Sequence, residues 1–261
     1  MPYLLTIDAG NTNTVLGIHL GAELKAHWRL TTRREQTADE YGILVRNLFS
    51  ASNIEPSQIG GIALASVVPP LTPVLVTLAR QYLGQDPLVV EPGVRTGMPI
   101  LYEPPGDVGA DRIVNGVAAF AAYGGPVIVV DFGTATTFDV VTRKGEYVGG
   151  VICPGIGISA DALFQRAARL PRVDVRKPAT VIGRSTVGSM QSGLYFGYAS
   201  MVEGLIARIR AELGEDVRVV ATGGLATALA ADVPSIEAVD PVLTLTGLRL
   251  IWERNRGSAS R

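Results

Sequence analysis

The chain has 261 residues, enough to bury a substantial core in one large domain or two of ordinary size. Hydrophobic residues make up 47% and charged residues 18%, which excludes general disorder, and a net charge of −1 argues against a nucleic-acid binder that neutralises phosphates. The lone cysteine, Cys153, rules out an internal disulfide and a cysteine zinc cage, so a metal is expected to be a hard cation on carboxylates and substrate phosphates.

Three strands open the chain at 3–8, 14–20 and 24–31, with Leu20-Gly21-Ala22-Glu23 turning the second into the third. His19 and His27, the only imidazoles, fall in this hairpin pattern and are expected on strand surfaces. From Thr37 to Phe49 the apolar spacing is helical, with Tyr41, Leu44, Val45 and Leu48 on one face, and Thr37 followed by Glu40 forms a capping-box pattern. A strand at Ile59–Val68, a helix at about Leu71–Leu83 and a strand at Leu88-Val89-Val90 follow. Glu91 to Val108 carries Pro92, Pro99, Pro104 and Pro105 and reads as an ordered loop. Helix resumes at Gly109-Ala110-Asp111-Arg112 and runs to about Tyr123.

The meander then repeats. Strands are expected at 127–131, 136–142 and 147–153, then a helix from Ser159 to Leu170 and a loop from Pro171 to Arg184. A long helix spans Thr186 to Leu213, a strand at 217–221 meets Thr222-Gly223-Gly224, a short helix follows, and the last helix runs from Pro241 to about Trp252. The tail from Arg256 to Arg261 is expected to fray. Two copies of one α/β unit imply two lobes, 1–118 and 119–261, with mixed sheets and a cleft between them, and the βββαβα order of each resembles a ribonuclease-H-like half. No export signal and no apolar run of the roughly 18 residues a membrane helix needs is visible, so cytoplasmic residence is expected, without membrane or nucleic-acid partners.

Both repeats turn on an acid, a glycine and a polar run: Asp8-Ala9-Gly10-Asn11-Thr12-Asn13-Thr14, and Asp131-Phe132-Gly133-Thr134-Ala135-Thr136-Thr137. Either alone fits an ordinary β-turn. At matching places in two repeats they suit a nucleotide, because backbone N–H groups and hydroxyls in glycine turns cradle phosphate where no Walker A lysine exists. Carboxylates facing phosphate must be offset by a cation, and Mg²⁺ on the β- and γ-phosphates is the natural one. Asp111, in the first turn of a helix where the macrodipole favours the ionised form, suits a proton acceptor, with Arg112 beside it for an anion; the same residues also fit a routine helix start. Thr222-Gly223-Gly224 permits a flat ring to approach backbone, or is simply a tight turn. Gly188, Gly193, Gly197 and Gly204 in one helix cost roughly 1 kcal/mol each relative to alanine. Gly193, Gly197 and Gly204 share a groove that suits a close-packed helix, from a second subunit in preference to an internal one.

On Asp8 to Val15, Tyr102, Gly109 to Arg112, Asp131 to Thr137, Gly149 to Gly155 and Thr222 to Gly224, the chain resembles the type III pantothenate kinases, members of the actin-like ATPase superfamily. The resemblance runs from about Tyr3 to Trp252. It implies phosphorylation of pantothenate by ATP to 4′-phosphopantothenate, the first step of coenzyme A synthesis, in a homodimer. It places ATP on Asp8, Ala9, Gly10, Asn11, Thr12, Asn13, Thr14, Val15 and Thr134. It places pantothenate on Tyr102, Gly109, Ala110, Asp111, Arg112 and Thr186, with Asp111 as proton acceptor, and a monovalent cation, K⁺ or NH₄⁺, on Asp131. Two rivals stay open: another small-molecule kinase or phosphatase of the superfamily, and a nucleotide-binding regulator without turnover.

Overall fold

The computed structural model describes residues 2–256; the end of the tail lies outside the described residues. The chain divides into two compact units, one running from its start to Ala118 and resuming at Leu243, the other Ala119–Val242.

In the first unit, β1 (Tyr3–Ala9), β2 (Asn13–Leu20) and β3 (Glu23–Thr31) form the antiparallel meander, and β4 (Ile59–Ser66) and β5 (Leu88–Val89) add in parallel, giving the order β3-β2-β1-β4-β5. Helix α1 (Ala38–Ala51) connects β3 to β4 and α2 (Thr72–Leu83) connects β4 to β5. The capping box at Thr37 forms in both directions: the Glu40 N–H donates to Thr37 Oγ1 (3.3 Å) and the Thr37 N–H to Glu40 Oε2 (2.7 Å). Side chains alternate across a strand, so Leu5 and Ile7 of β1 join Tyr41, Val45, Phe49 and Leu75 in the core under α1 and α2. Leu4, Thr6 and Asp8 point to the opposite face.

The second unit repeats the plan. β6 (Val127–Phe132), β7 (Ala135–Val141), β8 (Tyr147–Pro154), β9 (Arg218–Gly223) and β10 (Ala238–Val239) are ordered β10-β9-β6-β7-β8, with β6 central as β1 is in the first sheet. Ile128, Val130 and Phe132 pack with Tyr195, Val202 and Ile206 of α5 (Thr186–Leu213) and Leu229 of α6 (Ala226–Ala230). Val129 and Asp131 face away from that core, so Asp8 and Asp131 are equivalent in strand, position and face. α3 (Ala110–Tyr123) carries the chain into the second unit, and α4 (Ile156–Arg166) begins three residues and ends four residues earlier than its sequence pattern suggests.

Two expectations change. The last helix, α7 (Leu243–Arg256), was expected in the C-terminal lobe but packs on β1 and β4 of the first unit. Glycines make this fit: a Cβ at Gly17 would lie 2.8 Å from Leu245 Cδ1, and one at Gly61 would overlap the Trp252 indole. His19 was expected on a strand surface but is only 2% exposed, because β2 is an interior strand and the α7 side of the sheet is covered too. Its Nε2 lies 3.2 Å from Thr6 Oγ1, and burial, aided by the charge of Arg249 in α7, lowers its pKa to about 4. His27, on the outer strand β3, is exposed as expected. No helix among the described residues is long and apolar enough to cross a membrane.

Candidate active site

The first tip is held from below. Gly10 N–H donates to Asn13 O (3.0 Å) to close the turn, and a Cβ at Gly10 would stand 3.1 Å from that same carbonyl. Thr32, one residue past β3, grips the tip at three points. Its N–H donates to Thr12 O (3.0 Å), its hydroxyl donates to Gly10 O (2.7 Å), and that hydroxyl therefore accepts from Thr14 Oγ1 (2.9 Å). Arg34 Nη2 donates to Asn11 Oδ1 (2.9 Å) from an exposed position. Thr14 is buried and Val15 half-buried, whereas Asn11 and Thr12 are exposed. The arrangement offers hydroxyl, amide and guanidinium donors around the end of β1, with the Asp8 carboxylate on the face away from the α1–α2 core.

Asp111 lies beside that strand end in the same unit. Val67, just past β4, donates its N–H to Ala9 O (3.1 Å), and a Cβ at Gly109 would stand 3.5 Å from Val67 Cγ1 and 2.6 Å from Asp111 Oδ1. Gly109 thus leaves room for the carboxylate against the β1–β4 edge. Asp111 Oδ1 accepts from the Arg112 N–H (2.8 Å), and Arg112 is buried. The macrodipole argument predicts an easily ionised acid. Burial outweighs it: desolvation raises the Asp111 pKa, opposed by the Arg112 N–H bond and the Arg112 charge. A carboxylate that binds its proton more tightly is a stronger base once ionised. Tyr102 is half-buried in the loop preceding α3, in the first unit.

In the second unit, Asp131 of β6 stands between Thr137 of β7 and Thr222 of β9. Gly133 N–H closes the turn on Ala135 O (3.0 Å), and Gly155 N–H donates to Thr134 O (3.1 Å). Gly223 adopts φ +94°, and a Cβ there would fall 2.5 Å from Asp131 Oδ1. Its nearest neighbour is thus the Asp131 carboxylate, which explains the glycine without a flat ring. Thr186 is exposed in the first turn of α5, where the N-cap Ser185 hydroxyl accepts from Gly188 N–H (3.1 Å). The structure therefore brings Asp8–Val15 and Asp111–Arg112 together in one unit and places Asp131, Thr134 and Thr186 in the other.

Sequence reasoning missed Thr32 and Arg34. A hydroxyl pair followed by two arginines directly after the third meander strand was the available signal. Both carboxylates suit hard cations through oxygen alone. Among the described residues no group of three or more His, Cys, Asp or Glu side chains is placed to hold an ion by itself. A lone carboxylate of this kind suits a divalent hard cation whose remaining ligands come from a bound molecule and water.

Two mixed five-stranded sheets with a repeated β-meander and an acid at the end of each central strand define the actin-like ATPase and sugar-kinase class of fold. Solved structures of that form include an inorganic polyphosphate/ATP-glucomannokinase from Arthrobacter (TM-score 0.51, 13% identity, 98% of this chain and 100% of that one). A ROK hexokinase from Thermus thermophilus matches at TM-score 0.50 with 13% identity over 98% and 100% of the two chains. A Campylobacter jejuni protein assigned to the Baf family of transcriptional activators superposes with TM-score 0.62 at 20% identity over 97% and 99%. Residues 4–208 match the family model for type III pantothenate kinase. Curated relatives of that name are 56% identical in Koribacter versatilis (99% of this chain, 98% of the relative) and 57% in Moorella thermoacetica (97% and 99%). The chain belongs to the type III pantothenate kinase family.

Proposed function

We propose that the protein transfers the γ-phosphoryl group of ATP to the primary hydroxyl of pantothenate, giving 4′-phosphopantothenate and ADP in the first step of coenzyme A biosynthesis, in the cytoplasm. The observation that carries this reading is the Asp111 carboxylate, half-buried beside the strand end that carries the Asp8 tip, in a chain of this family. Asp8 to Val15 and Thr134 contact ATP. Tyr102, Gly109 to Arg112 and Thr186 bind pantothenate.

Phosphoryl transfer asks for positioning and charge neutralisation more than covalent help. Asp111 accepts the hydroxyl proton as the new O–P bond forms and the bond to the ADP oxygen breaks. Arg112, buried beside it, balances negative charge on substrate and phosphoryl group. Groups of the turn at Gly10–Thr14 hold phosphate oxygens, with the Arg34 guanidinium, bound to Asn11 Oδ1, beside them. Asp8 would help hold Mg²⁺, which would supply positive charge to the phosphates of ATP. Asp131, whose carboxylate lies in the space Gly223 leaves open, would hold K⁺ or NH₄⁺. Activity in Na⁺-only buffer is expected to collapse and to recover with K⁺ or NH₄⁺; equal rates in both buffers would remove the cation from Asp131.

The protein acts as a homodimer. Ile158 (47% exposed) and Phe164 (43%) on α4 and Ile182 (80%) in the following loop present apolar surface, and a Cβ at Gly193, Gly197 or Gly204 of α5 meets no atom within 4 Å. A second copy laid along α5 would cover both, and sedimentation of the purified protein as a monomer would contradict it.

One assay separates the readings. Purified protein with ATP, Mg²⁺ and K⁺ should release ADP only when pantothenate is added. Release prompted by acetate or a sugar, or no release with any acceptor, would instead favour the other kinase or the regulator.

A further inference from the structure

The loop from Glu91 to Val108 carries Tyr102, read above as a pantothenate contact, and its first half is fastened to the last turn of α7. Asn255, in the last turn of α7, pairs with both backbone groups of one loop residue. Its Nδ2 donates to Arg95 O (3.0 Å) and its Oδ1 accepts from Arg95 N–H (3.3 Å). The same Nδ2 also donates to Ile251 O (2.8 Å), which fixes the amide on its own helix. Arg95 returns the contact through Nη2 to Arg254 O (3.2 Å), and Arg254 Nη1 donates to Thr96 O. Gly97 follows at φ +74°, where any Cβ would overlap the Arg254 guanidinium. The Thr96 hydroxyl donates to Met98 O (3.1 Å) and accepts from Met98 N–H (3.2 Å), turning the chain toward Tyr102.

α7 itself is seated without slack. Gly17 admits Leu245, Gly61 admits Trp252, and Gly247 lies against the Val114 backbone of α3, the helix that begins with the Asp111 turn. One helix therefore contacts the base-bearing helix at its start and the substrate loop at its end. The clamp lies at the surface of the unit: Arg95 and Arg254 are exposed and Asn255 is half-buried.

We propose that Asn255, together with Arg254, is a positioning residue for the pantothenate loop. It holds residues 95–98 against α7 so that Tyr102, four residues beyond Met98, is presented to substrate. The inference rests on the reading of Tyr102 as a pantothenate contact. It assigns the loop's geometry to the chain's last helix and gives that helix a role in substrate specificity.

The test compares Asn255→Ala, Arg254→Ala, Tyr102→Ala and the Asn255→Ala/Tyr102→Ala double variant in steady-state kinetics, with thermal melts alongside. Asn255→Ala is expected to raise the pantothenate KM roughly ten-fold, with kcat and the ATP KM within about two-fold of wild type. Arg254→Ala, which cuts the other tie, should show the same split, and Asn255→Gln, which keeps both ends of the amide, should recover part of the loss. The double variant should bind pantothenate no worse than Tyr102→Ala alone, because two residues acting through one contact are not additive. A raised KM in Tyr102→Ala beside an unchanged KM in Asn255→Ala and Arg254→Ala overturns the clamp. So does a loss in Asn255→Ala that affects ATP and the melting temperature equally, which marks a purely structural residue. An unchanged KM in Tyr102→Ala overturns the pocket reading, and the clamp's role falls with it.

Discussion

At the scale of single residues, the site is a contest between burial and charge. Asp111 sits where a helix dipole and an arginine favour ionisation, yet desolvation wins and raises its pKa. As the proposed base, Asp111 must be ionised to act, so the rate is expected to fall as pH drops through that raised value. The acidic limb of kcat/KM should therefore lie above the ordinary aspartate range, near pH 4. A limb at or below that range would show that another group controls the profile. Gly223 makes a similar point at the second tip. Gly223→Ala would force a side chain at φ +94° into the Asp131 carboxylate, and the K⁺ concentration for half-activation should rise by roughly ten-fold or more. Unchanged K⁺ activation would separate Gly223 from the cation. The two acids and their glycine turns were legible in the sequence because residue type and repetition carry them, whereas Asp111 stood out through the family resemblance, its spacing alone fitting a routine helix start. Thr32 and Arg34 were not, since they reach Gly10 and Asn11 only after β2 and β3 fold back on β1.

At the scale of elements, local chemistry and tertiary cover divide the credit. The Thr37 capping box was readable because both partners lie within one turn, and Thr37→Ala should lower the stability of the first unit by about 1 kcal/mol in urea unfolding. His19 was misplaced because alternation along a strand says nothing about which helix covers the far face. Its burial has a measurable consequence. The unfolded chain binds the His19 proton near pH 6.5 and the folded chain only near pH 4, so between these values the unfolded state holds more protons. Stability should then fall on acidification from pH 6.5 to 4, by up to about 3 kcal/mol from this residue. Urea midpoints of the wild type and His19→Asn should converge across that window as the wild type loses stability. Parallel curves would deny His19 the effect. The two-residue strand β10 escaped sequence reading because Ala238-Val239 is too short to show a period.

At the scale of the molecule, the duplication was legible and the allocation of its last helix was not. Repeated strand order, repeated acid and repeated glycine turn all point to two equivalent sheets, and both carry the order seen in the structure. α7 follows the second repeat in the chain but belongs to the first unit, because the small residues that admit it, Gly17 and Gly61, lie on the far side of the first sheet. Their purpose shows only in the folded sheet, where α7 packs on them. The account as a whole stands on Asp111 acting as base beside a nucleotide tip within that unit. Its most direct test is a single-turnover measurement of 4′-phosphopantothenate formation in Asp111→Asn, with ATP binding followed in the same samples. The expected result is ATP affinity near wild type with the transfer rate reduced on the order of 10²-fold or more. Transfer at the wild-type rate would contradict the account.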